Sequence, residues 1–283
     1  MTMKSMKSGL LLSFGALGSV GVGVLWSSMR WLRVREQVVS FEHLPRHLQG
    51  LRILQIADLH NRSEFRKTLD IWPMVGKQDF DIAVITGDLI LDEVCEIYPH
   101  AKDLAKLAKR VPTFYIEGNH EGRRKFPQMQ AFMQSLGITV LDNQARVIMV
   151  NDGPLEIIGT RDYITLAKRG LIGMERLFKP YRKSEHFQLV LTHQPQTVDW
   201  FDGGDLILSG HTHGGQLRLP FVPTLYAPQQ GFRPKYGSGL YTLGDRKLYV
   251  SCGIGSTHFP FRTFNRPELT VLELRLATEA FQL

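Results

Sequence analysis

The sequence predicts a layered α/β domain preceded by an N-terminal transmembrane helix. Three observations support this fold class. A stretch without any charged residue runs from Ser8 to Met29. Beyond residue 49, short apolar runs alternate with amphipathic helical patterns, which is the rhythm of a layered α/β protein. The chain of 283 residues is 43% hydrophobic and 22% charged, values typical of a globular protein with a substantial core.

Residues 8–29 are predicted to form a membrane anchor, after a short N-terminal tail at residues 1–7. A helix over this stretch would be ~33 Å long, enough to cross a hydrocarbon layer of ~30 Å. Basic residues flank it on both sides, so the distribution of positive charge does not set the orientation. We therefore predict a single-pass membrane protein and leave open the side on which the following domain lies.

A cleaved signal peptide is the alternative for the same segment. Small residues before Ser19, in the run ALG, stand at plausible cleavage positions, but apolar sequence continues beyond them and favours an uncleaved anchor. Small residues also recur at every fourth position and would form one stripe on a helix, namely Gly15, Ser19, Gly23 and Ser27. Such a stripe permits a weak homodimer through the transmembrane helix, although signal-like segments are often rich in glycine.

The first half of the remaining chain alternates predicted strands and helices. Short, branched apolar runs predict buried strands at residues 51–57, 81–87 and 112–118. Helical periodicity predicts one helix from Glu96 to Arg110 and a second from Phe126 to Leu136, which Gly137 ends.

The second half is richer in strands, with candidates in the segments EIIGT, FQLVLTH, DLILSG, KLYVSCG and LTVLELRL. Two packed sheets flanked by helices account for this change. No repeat or internal linker divides residues 49–283, which we therefore interpret as one domain. Residues 30–48 are interpreted as a juxtamembrane link with an edge segment.

Charge and cysteine content narrow the classes of partner. The net charge of +7 is compatible with an anionic substrate or an anionic membrane. No long Lys/Arg block occurs, so a nucleic acid partner is not expected. Cys95 and Cys252 are far apart and are predicted to be small buried side chains, which implies neither a disulfide framework nor a thiolate metal site.

Polar side chains follow the predicted strands at the points where these strands end. Because the carboxyl ends of strands in an α/β sheet converge on one crevice, these side chains are expected to lie together. They are Asp58, His60, Asp88, Asn119, His120, His193, His211 and His213. Any one of them could be an ordinary hydrogen-bonded side chain, but their joint occurrence at successive strand ends favours a shared site.

The chemistry of this set predicts metal binding. Imidazole, carboxylate and amide oxygen suit Mn, Fe or Zn, of which Mn is favoured, and the lack of thiolate argues against a structural zinc site. More ligands are present than one tetrahedral ion needs, which predicts two divalent ions ~3.5–4 Å apart with one bridging carboxylate. Gly87, Gly118 and Gly210 directly precede ligands and would let the backbone turn sharply there.

The ordered motifs DLH, GD, GNHE, a lone His and GHTHGG resemble those of the calcineurin-like metallophosphoesterase superfamily, over Asp58 to Gly215. The resemblance implies a four-layer α/β/β/α sandwich with a dinuclear centre. It implies that one ion is held by Asp58, His60, Asp88 and His213. It implies that the other is held by Asp88, Asn119, His193 and His211, with Asp88 bridging. It also implies that His120 contacts phosphate and assists the leaving group.

One departure from the pattern concerns the loop after Gly87. Protein Ser/Thr phosphatases of the superfamily carry GDxxDRG, whereas GDLILDE in this chain places Asp92 one residue later and supplies no Arg. This disfavours a protein phosphatase and leaves the partner of His120 open. The C-terminal segment resembles a bacterial membrane-associated branch that includes enzymes similar to UDP-2,3-diacylglucosamine pyrophosphatase and phospholipid-directed phosphodiesterases.

The sequence therefore predicts a membrane-anchored, metal-dependent phosphohydrolase that cleaves a phosphodiester or pyrophosphate bond in a lipid-linked substrate. A nuclease or cyclic-nucleotide phosphodiesterase of the same superfamily is one alternative, and a non-catalytic binding protein on the same fold is another. Substrate contacts are predicted at Arg123 and Arg124, directly after the GNHE turn, and at His258 and Arg262, in a loop rich in Gly and Pro.

Overall fold

The computed structural model describes residues 32–60, 71–122, 125–162, 184–215, 218, 222, 224–255 and 262–277. The predicted anchor at residues 8–29 lies outside these ranges. Within them, no helix combines the length and the apolar character needed to cross a bilayer.

Strands outnumber helices in the part of the chain that the structure describes. The strands are β1 (Arg33–Phe41), β2 (Arg52–Ile56), β3 (Ile82–Ile85), β4 (Thr113–Tyr115), β5 (Thr139–Val140), β6 (Gln144–Val150), β7 (Gly153–Gly159), β8 (Phe187–Leu191), β9 (Leu206–Ser209), β10 (Tyr226–Ala227), β11 (Gly231–Phe232), β12 (Gly239–Leu243), β13 (Arg246–Val250) and β14 (Glu268–Leu276). The α-helices are α1 (Trp72–Val75), α2 (Ala101–Arg110) and α3 (Phe126–Ser135). Short 3₁₀ segments lie at Arg46–Leu48, Val94–His100, Pro195–Trp200 and His213–Gly215.

Two six-stranded mixed sheets form the body of the domain, as predicted. The first has the strand order β1-β14-β2-β3-β4-β5, and β2 to β5 run parallel. The second has the order β12-β13-β9-β8-β7-β6, in which β7, β8, β9 and β13 run parallel. Because the parallel strands of each sheet point the same way, their carboxyl ends lie along one edge of that sheet.

The two sheets pack face to face around a shared apolar core. Ile53 and Val84 of the first sheet belong to the same buried cluster as Leu189 and Leu208 of the second. The opposite face of the first sheet packs against α2 and α3, which bury a second cluster that includes Leu104 and Met133. A third cluster covers the outer face of the second sheet, where the 3₁₀ segment Pro195–Trp200 packs. The α/β layering is therefore confirmed.

The helix predicted from Glu96 to Arg110 is shorter than expected. Its first part is the 3₁₀ segment Val94–His100, and α2 begins only at Ala101. Pro99 explains the difference, because proline lacks the N–H that a continuous α-helix requires. The helix predicted from Phe126 ends where expected, since Gly137 adopts a left-handed φ of 84° just beyond α3.

Two other expectations need correction. The segment predicted as a juxtamembrane link with an edge segment contains β1, a nine-residue edge strand beside β14, so the edge position agrees but the folded domain begins before residue 49. Its side chains alternate poorly between buried and exposed, which is why the apolar pattern did not reveal a strand. Cys252 is buried as predicted, but Cys95, on the 3₁₀ segment that precedes α2, is exposed.

Candidate metal centre

Strand ends of both sheets deliver the predicted ligands to one buried place. In the first sheet, β2 leads to Asp58 and His60, β3 to Asp88, and β4 to Asn119 and His120. In the second sheet, β8 leads to His193, and β9 to His211 and His213. All eight side chains are buried. The backbone N–H of His211 donates to both carboxylate oxygens of Asp58 at 3.0 Å and so joins the two sheets across the site.

Five of these residues have a left-handed backbone. Their φ angles are positive, at 49° for Asp58, 41° for His60, 53° for Asp88, 69° for His211 and 50° for His213. Such angles are uncommon outside glycine, and where they cluster they indicate a functional site whose geometry the surrounding fold enforces. Each of these residues lies within four positions of the end of a strand, in the loop that follows it.

Two glycines allow the loops to approach closely enough. Gly87 has a φ of 86°, and a Cβ there would lie 2.6 Å from the backbone nitrogen of Gly118 and 2.9 Å from Nδ1 of His193. A Cβ at Gly118 would collide with the side chain of Asp88. The role predicted for these glycines therefore agrees with the packing.

The ligand atoms form three groups, of which the one with His60, Asp88 and His120 links the other two. Ligand atoms of Asp58, His60 and His213 lie within 4.8 Å of one another, as do those of Asp88, His193 and His211. Oδ2 of Asp88 lies 3.6 Å from Nε2 of His60 and 3.1 Å from Nε2 of His193. Asp88 thus stands between the two groups, at the position a bridging carboxylate requires.

Asn119 completes the second group. Its Oδ1 lies 3.3 Å from Nε2 of His193, which in turn lies 3.1 Å from Oδ2 of Asp88. The structure therefore brings all seven predicted ligands together at one place.

The protonation states of the histidines suit metal binding. Burial lowers the pKa of His60 to about 3 and that of His211 to about 4, so both imidazoles are neutral near pH 7. Burial also lowers the pKa of His213 well below its ordinary value. His193 is the exception, because Asp88 outweighs the burial and holds its pKa above the ordinary value.

The carboxylates of the site repel each other. Burial raises the pKa of Asp58 to about 7 against the attraction of His193, and the nearby Asp88 adds to the rise. Two buried carboxylates and two pairs of imidazoles whose nitrogens lie only 3.1 Å apart are the arrangement that a cation would stabilise.

Hydrogen bonds behind two imidazoles leave the correct nitrogen free for an ion. Nδ1 of His193 donates to the carbonyl of Thr86 at 2.8 Å, which leaves Nε2 facing Asp88. Nε2 of His211 contacts the side-chain oxygen of Gln229, which leaves Nδ1 facing the site. Metal-binding histidines typically make such a second hydrogen bond, so the residues present fit a dinuclear centre.

The partner of His120 is a backbone carbonyl. Nδ1 of His120 donates to the carbonyl oxygen of Leu91 at 2.7 Å, and its Nε2 lies 4.0 Å from Oδ2 of Asp88. Asp92, the next residue, is exposed. Leu91 therefore orients the imidazole in this protein, which answers the question raised by the displaced aspartate.

Glu121 is a residue of the site that the sequence-based prediction missed. Its buried carboxylate accepts four backbone N–H groups, from Gly118 and Asp88 at one oxygen and from Leu89 and Ile90 at the other, at 2.6 to 3.1 Å. Burial raises its pKa to about 7, while these donors oppose the rise. Glu121 thus clamps the loop carrying Asp88 onto the loop carrying Asn119. Glu121 is the last residue of the GNHE motif, and this position was the sequence feature that could have identified it.

Replacing Glu121 by Gln is expected to loosen this clamp. A carboxamide offers only one acceptor oxygen, so two buried N–H groups would face an NH₂ group, at a cost of ~2 kcal/mol or more. We expect the melting temperature to fall by roughly 5 °C, and the affinity for Mn²⁺ to fall by at least ~10-fold because Asp88 loses its support. Thermal unfolding and metal titration of the purified protein measure both.

Glu96→Gln is the matched control for this substitution. Glu96 also accepts backbone N–H groups from the same loop, at Leu91 and Asp92, but it is only half-buried. If both variants lost the same metal affinity, the effect would reflect general loosening of the loop and the role assigned to Glu121 would be wrong.

A second acidic pair at the same edge was also missed. Asp162 follows β7, and its backbone N–H donates to Oε1 of Glu117 at 3.3 Å. The side chain of Gln194, next to His193, contacts the Asp162 carboxylate. Burial raises the pKa of Glu117 to about 8, and Asp162 adds to the rise. The strand-end rule, applied to β7, would have found Asp162.

The structure describes only one of the four predicted substrate contacts. Arg262 is fully buried, and its guanidinium donates to the carbonyl of Cys252 at 3.0 Å, contacts the carbonyl of Gly255 and lies 3.2 Å from Nδ1 of His213. It therefore lies behind a ligand, whereas the prediction placed it in a substrate-facing loop. Because Arg262 is buried, the structure contradicts the predicted substrate contact at this residue. Arg123, Arg124 and His258 lie outside the described residues.

Comparisons with known proteins agree with this geometry. The family described as calcineurin-like phosphoesterase matches residues 51–215. The chain is similar to phosphodiesterase YaeI of Escherichia coli, with 35% identity over 79% of this chain and 82% of that protein. It is similar to the uncharacterized metallophosphoesterase YkuE of Bacillus subtilis, with 29% identity over 93% of this chain and 94% of that protein. It is also 27% identical to the transmembrane protein with metallophosphoesterase domain of Danio rerio, over 87% of this chain and 58% of that protein.

Proposed function

Since the chain belongs to the calcineurin-like phosphoesterase family and is a hydrolase acting on phosphoester bonds, we propose that it is a membrane-anchored enzyme that cleaves a phosphodiester or pyrophosphate bond in a lipid-linked substrate. The observation that carries the proposal is the buried cluster in which Asp88 stands between two groups of ligands. A binding protein without catalytic function would have no need to keep the complete set.

The residues of the cluster divide between two divalent ions. Asp58, His60 and His213 would hold one ion, and Asn119, His193 and His211 would hold the other, with Asp88 available to both. Manganese is the favoured metal, since carboxylate, amide and imidazole ligands suit it. When bound, the two ions supply positive charge to the phosphoryl oxygens and to the attacking water.

His120 moves the proton in this mechanism. The carbonyl of Leu91 holds its Nδ1–H, so Nε2 faces the site beside Asp88. From there Nε2 can contact the phosphoryl group and deliver a proton to the leaving oxygen, a role typically worth ~10²–10⁴-fold in rate. The backbone N–H of His120 donates to Oδ1 of Asp88 at 2.9 Å, which positions the acid relative to the shared carboxylate.

Three observations support a lipid-linked substrate. The uncharged stretch from Ser8 to Met29 has the length and composition of a membrane anchor. The name of the Danio rerio relative describes a transmembrane protein that carries a metallophosphoesterase domain. The net charge of +7 favours an anionic headgroup at a membrane surface.

A substrate screen tests the proposal. The purified protein in Mn²⁺ is offered phosphomonoesters, soluble phosphodiesters, lipid phosphodiesters and lipid pyrophosphates. We expect the lipid substrates to give the highest kcat/KM. Preferential hydrolysis of DNA, RNA or a cyclic nucleotide would instead favour the nuclease or cyclic-nucleotide phosphodiesterase alternative, and a protein that binds no transition metal would favour the non-catalytic one.

Removal of the predicted anchor should leave the hydrolysis of soluble substrates unchanged and slow the hydrolysis of lipid substrates. The shortened chain starts at Leu32, so that it keeps all of β1 and the ion pair between Arg33 and Glu268. We expect it to hydrolyse a soluble diester at the rate of the full chain, because residues 8–29 supply no ligand. On a lipid substrate in vesicles it should be slower by ~10-fold or more at low enzyme concentration, since tethering raises the effective concentration. The full chain in the same vesicles is the control, and equal rates would contradict the lipid proposal.

A further inference from the structure

Large apolar side chains are exposed on the hairpin formed by β10 and β11. Phe232 is 83% exposed and Tyr226 50% exposed, although both are aromatic. The two residues pair across the hairpin, and their rings meet edge to face at 5.7 Å. Leu225, directly before β10, is 37% exposed. A contiguous exposed apolar surface of this kind indicates an interaction site.

This aromatic hairpin packs against the loop that carries His211 and His213. Gln229, in its turn, contacts Nε2 of His211. The carbonyl of Tyr226 packs so closely on Gly215 that a Cβ there would lie 2.7 Å from it. Because Gly215 belongs to the segment that begins at His213, the hairpin is held against two predicted ligands.

The N-terminal segment joins the domain at the same edge. The strand register places Arg33, at the start of β1, opposite Glu268 at the start of β14. The backbone N–H of Glu268 donates to the carbonyl of Gly253 at 3.0 Å, and the next residue, Ile254, donates to the carbonyl of Ala57 at 3.1 Å. Arg33 is therefore level with Ala57, the residue before the ligand Asp58.

From these two placements we propose that the metal-bearing edge of the domain faces the bilayer, with Tyr226 and Phe232 inserted at the interface of an anionic lipid surface. The proposal rests on the proposed function and adds the orientation of the enzyme on its substrate. The predicted anchor ends within a few residues of Arg33, so it draws this edge, and not the opposite one, toward the membrane.

The side chains of the hairpin have the chemistry of a membrane interface. Aromatic rings favour the level of the lipid headgroups, where one side is apolar and the other is wet. Arg233 follows Phe232 directly and is exposed, so its guanidinium can pair with lipid phosphates at the same depth. Insertion of the hairpin would bring the adjacent metal-bearing edge close to the headgroups, where a lipid-linked phosphate lies.

Site-specific fluorescence of the full chain tests the orientation. In a Cys95→Ser background, Phe232→Cys is labelled with an environment-sensitive fluorophore, and the protein is reconstituted in vesicles of phosphatidylcholine and phosphatidylglycerol. Met149→Cys is the matched control, because Met149 is 67% exposed and pairs with Pro154 at the opposite edge of the second sheet. We expect blue-shifted emission at position 232, and quenching by nitroxide-labelled lipids at least ~3-fold stronger than at position 149.

Each outcome decides the orientation without any measurement of activity. Equal quenching at both positions, or stronger quenching at 149, would overturn it. Labelled Tyr226→Cys repeats the measurement at the neighbouring strand in case Phe232→Cys does not fold. Insertion of the hairpin without hydrolysis of lipid phosphodiesters would leave the orientation standing and remove the proposed substrate. Hydrolysis of lipid phosphodiesters without insertion of the hairpin would leave the proposed substrate standing and overturn the orientation.

Discussion

The Asp88→Asn variant is expected to lose ~10³-fold or more in kcat/KM, more than any other change of a predicted ligand. Oδ2 of Asp88 faces both His60 and His193, so the substitution removes negative charge from both ion sites at once. A loss of this size corresponds to ~4 kcal/mol of transition-state stabilisation, within the several kcal/mol that metal ions supply to phosphoryl transfer. Metal content should fall from about two ions per chain toward one or none.

The same substitution should spare the fold. Asn retains an oxygen that can accept the backbone N–H of His120, as Oδ1 of Asp88 does at 2.9 Å. The variant is measured by steady-state kinetics, elemental analysis and thermal unfolding. Asp92→Asn is the matched control, because Asp92 is an exposed carboxylate on the same loop. An Asp88→Asn protein with two bound ions and near-normal turnover would show that the site is not a dinuclear centre bridged by Asp88.

The His120→Asn variant should keep both ions but lose ~10²-fold or more in kcat on substrates with poor leaving groups. His120 is held by the carbonyl of Leu91 and lies at the border of the ligand cluster, with Nε2 4.0 Å from Asp88. Loss of a general acid slows expulsion of an alkoxide, which needs a proton. The loss should be much smaller with a nitrophenyl ester, whose leaving group departs without one.

A comparison of the two substrate types isolates the role of His120. For the wild type and the variant, kcat and KM are measured on each substrate type, and metal content is determined in parallel. An equal loss on both would mean that His120 binds the phosphoryl group and does not protonate the leaving oxygen. Loss of one ion would make His120 a ligand, consistent with its place in a third cluster alongside His60 and Asp88.

The predicted ligands could be found from the sequence because a simple rule governs them. Buried parallel strands have an unbroken apolar pattern, and the residues after them must lie along one sheet edge. The rule located β2, β3, β4, β8 and β9, and with them Asp58, Asp88 and His193. The rule uses only the ends of strands, so it found ligands in both sheets without assigning each strand to a sheet.

Other parts of the site depend on contacts that no local pattern encodes. The orientation of His120 by Leu91 uses a backbone carbonyl, which every residue carries. The clamp at Glu121 depends on the loops after β3 and β4 lying within hydrogen-bond distance. Arg262 was predicted to contact substrate from a loop, yet it is fully buried beside His213. β1 was not recognised as a strand because an edge strand needs a partner, β14, from the far end of the chain.

Five residues of the candidate metal centre have a left-handed backbone. This conformation lowers the thermal stability of the protein at positions whose side chains are expected to be needed for turnover. Each such conformation costs on the order of 1 kcal/mol or more in a residue that carries a side chain, and glycine would adopt it freely. Glycine at His60 or His213 would thus relax the chain while removing an imidazole of the candidate metal centre. A search for heat-resistant variants that selects on folding alone would therefore favour replacements at these positions, and the more robust proteins it returned would be inactive.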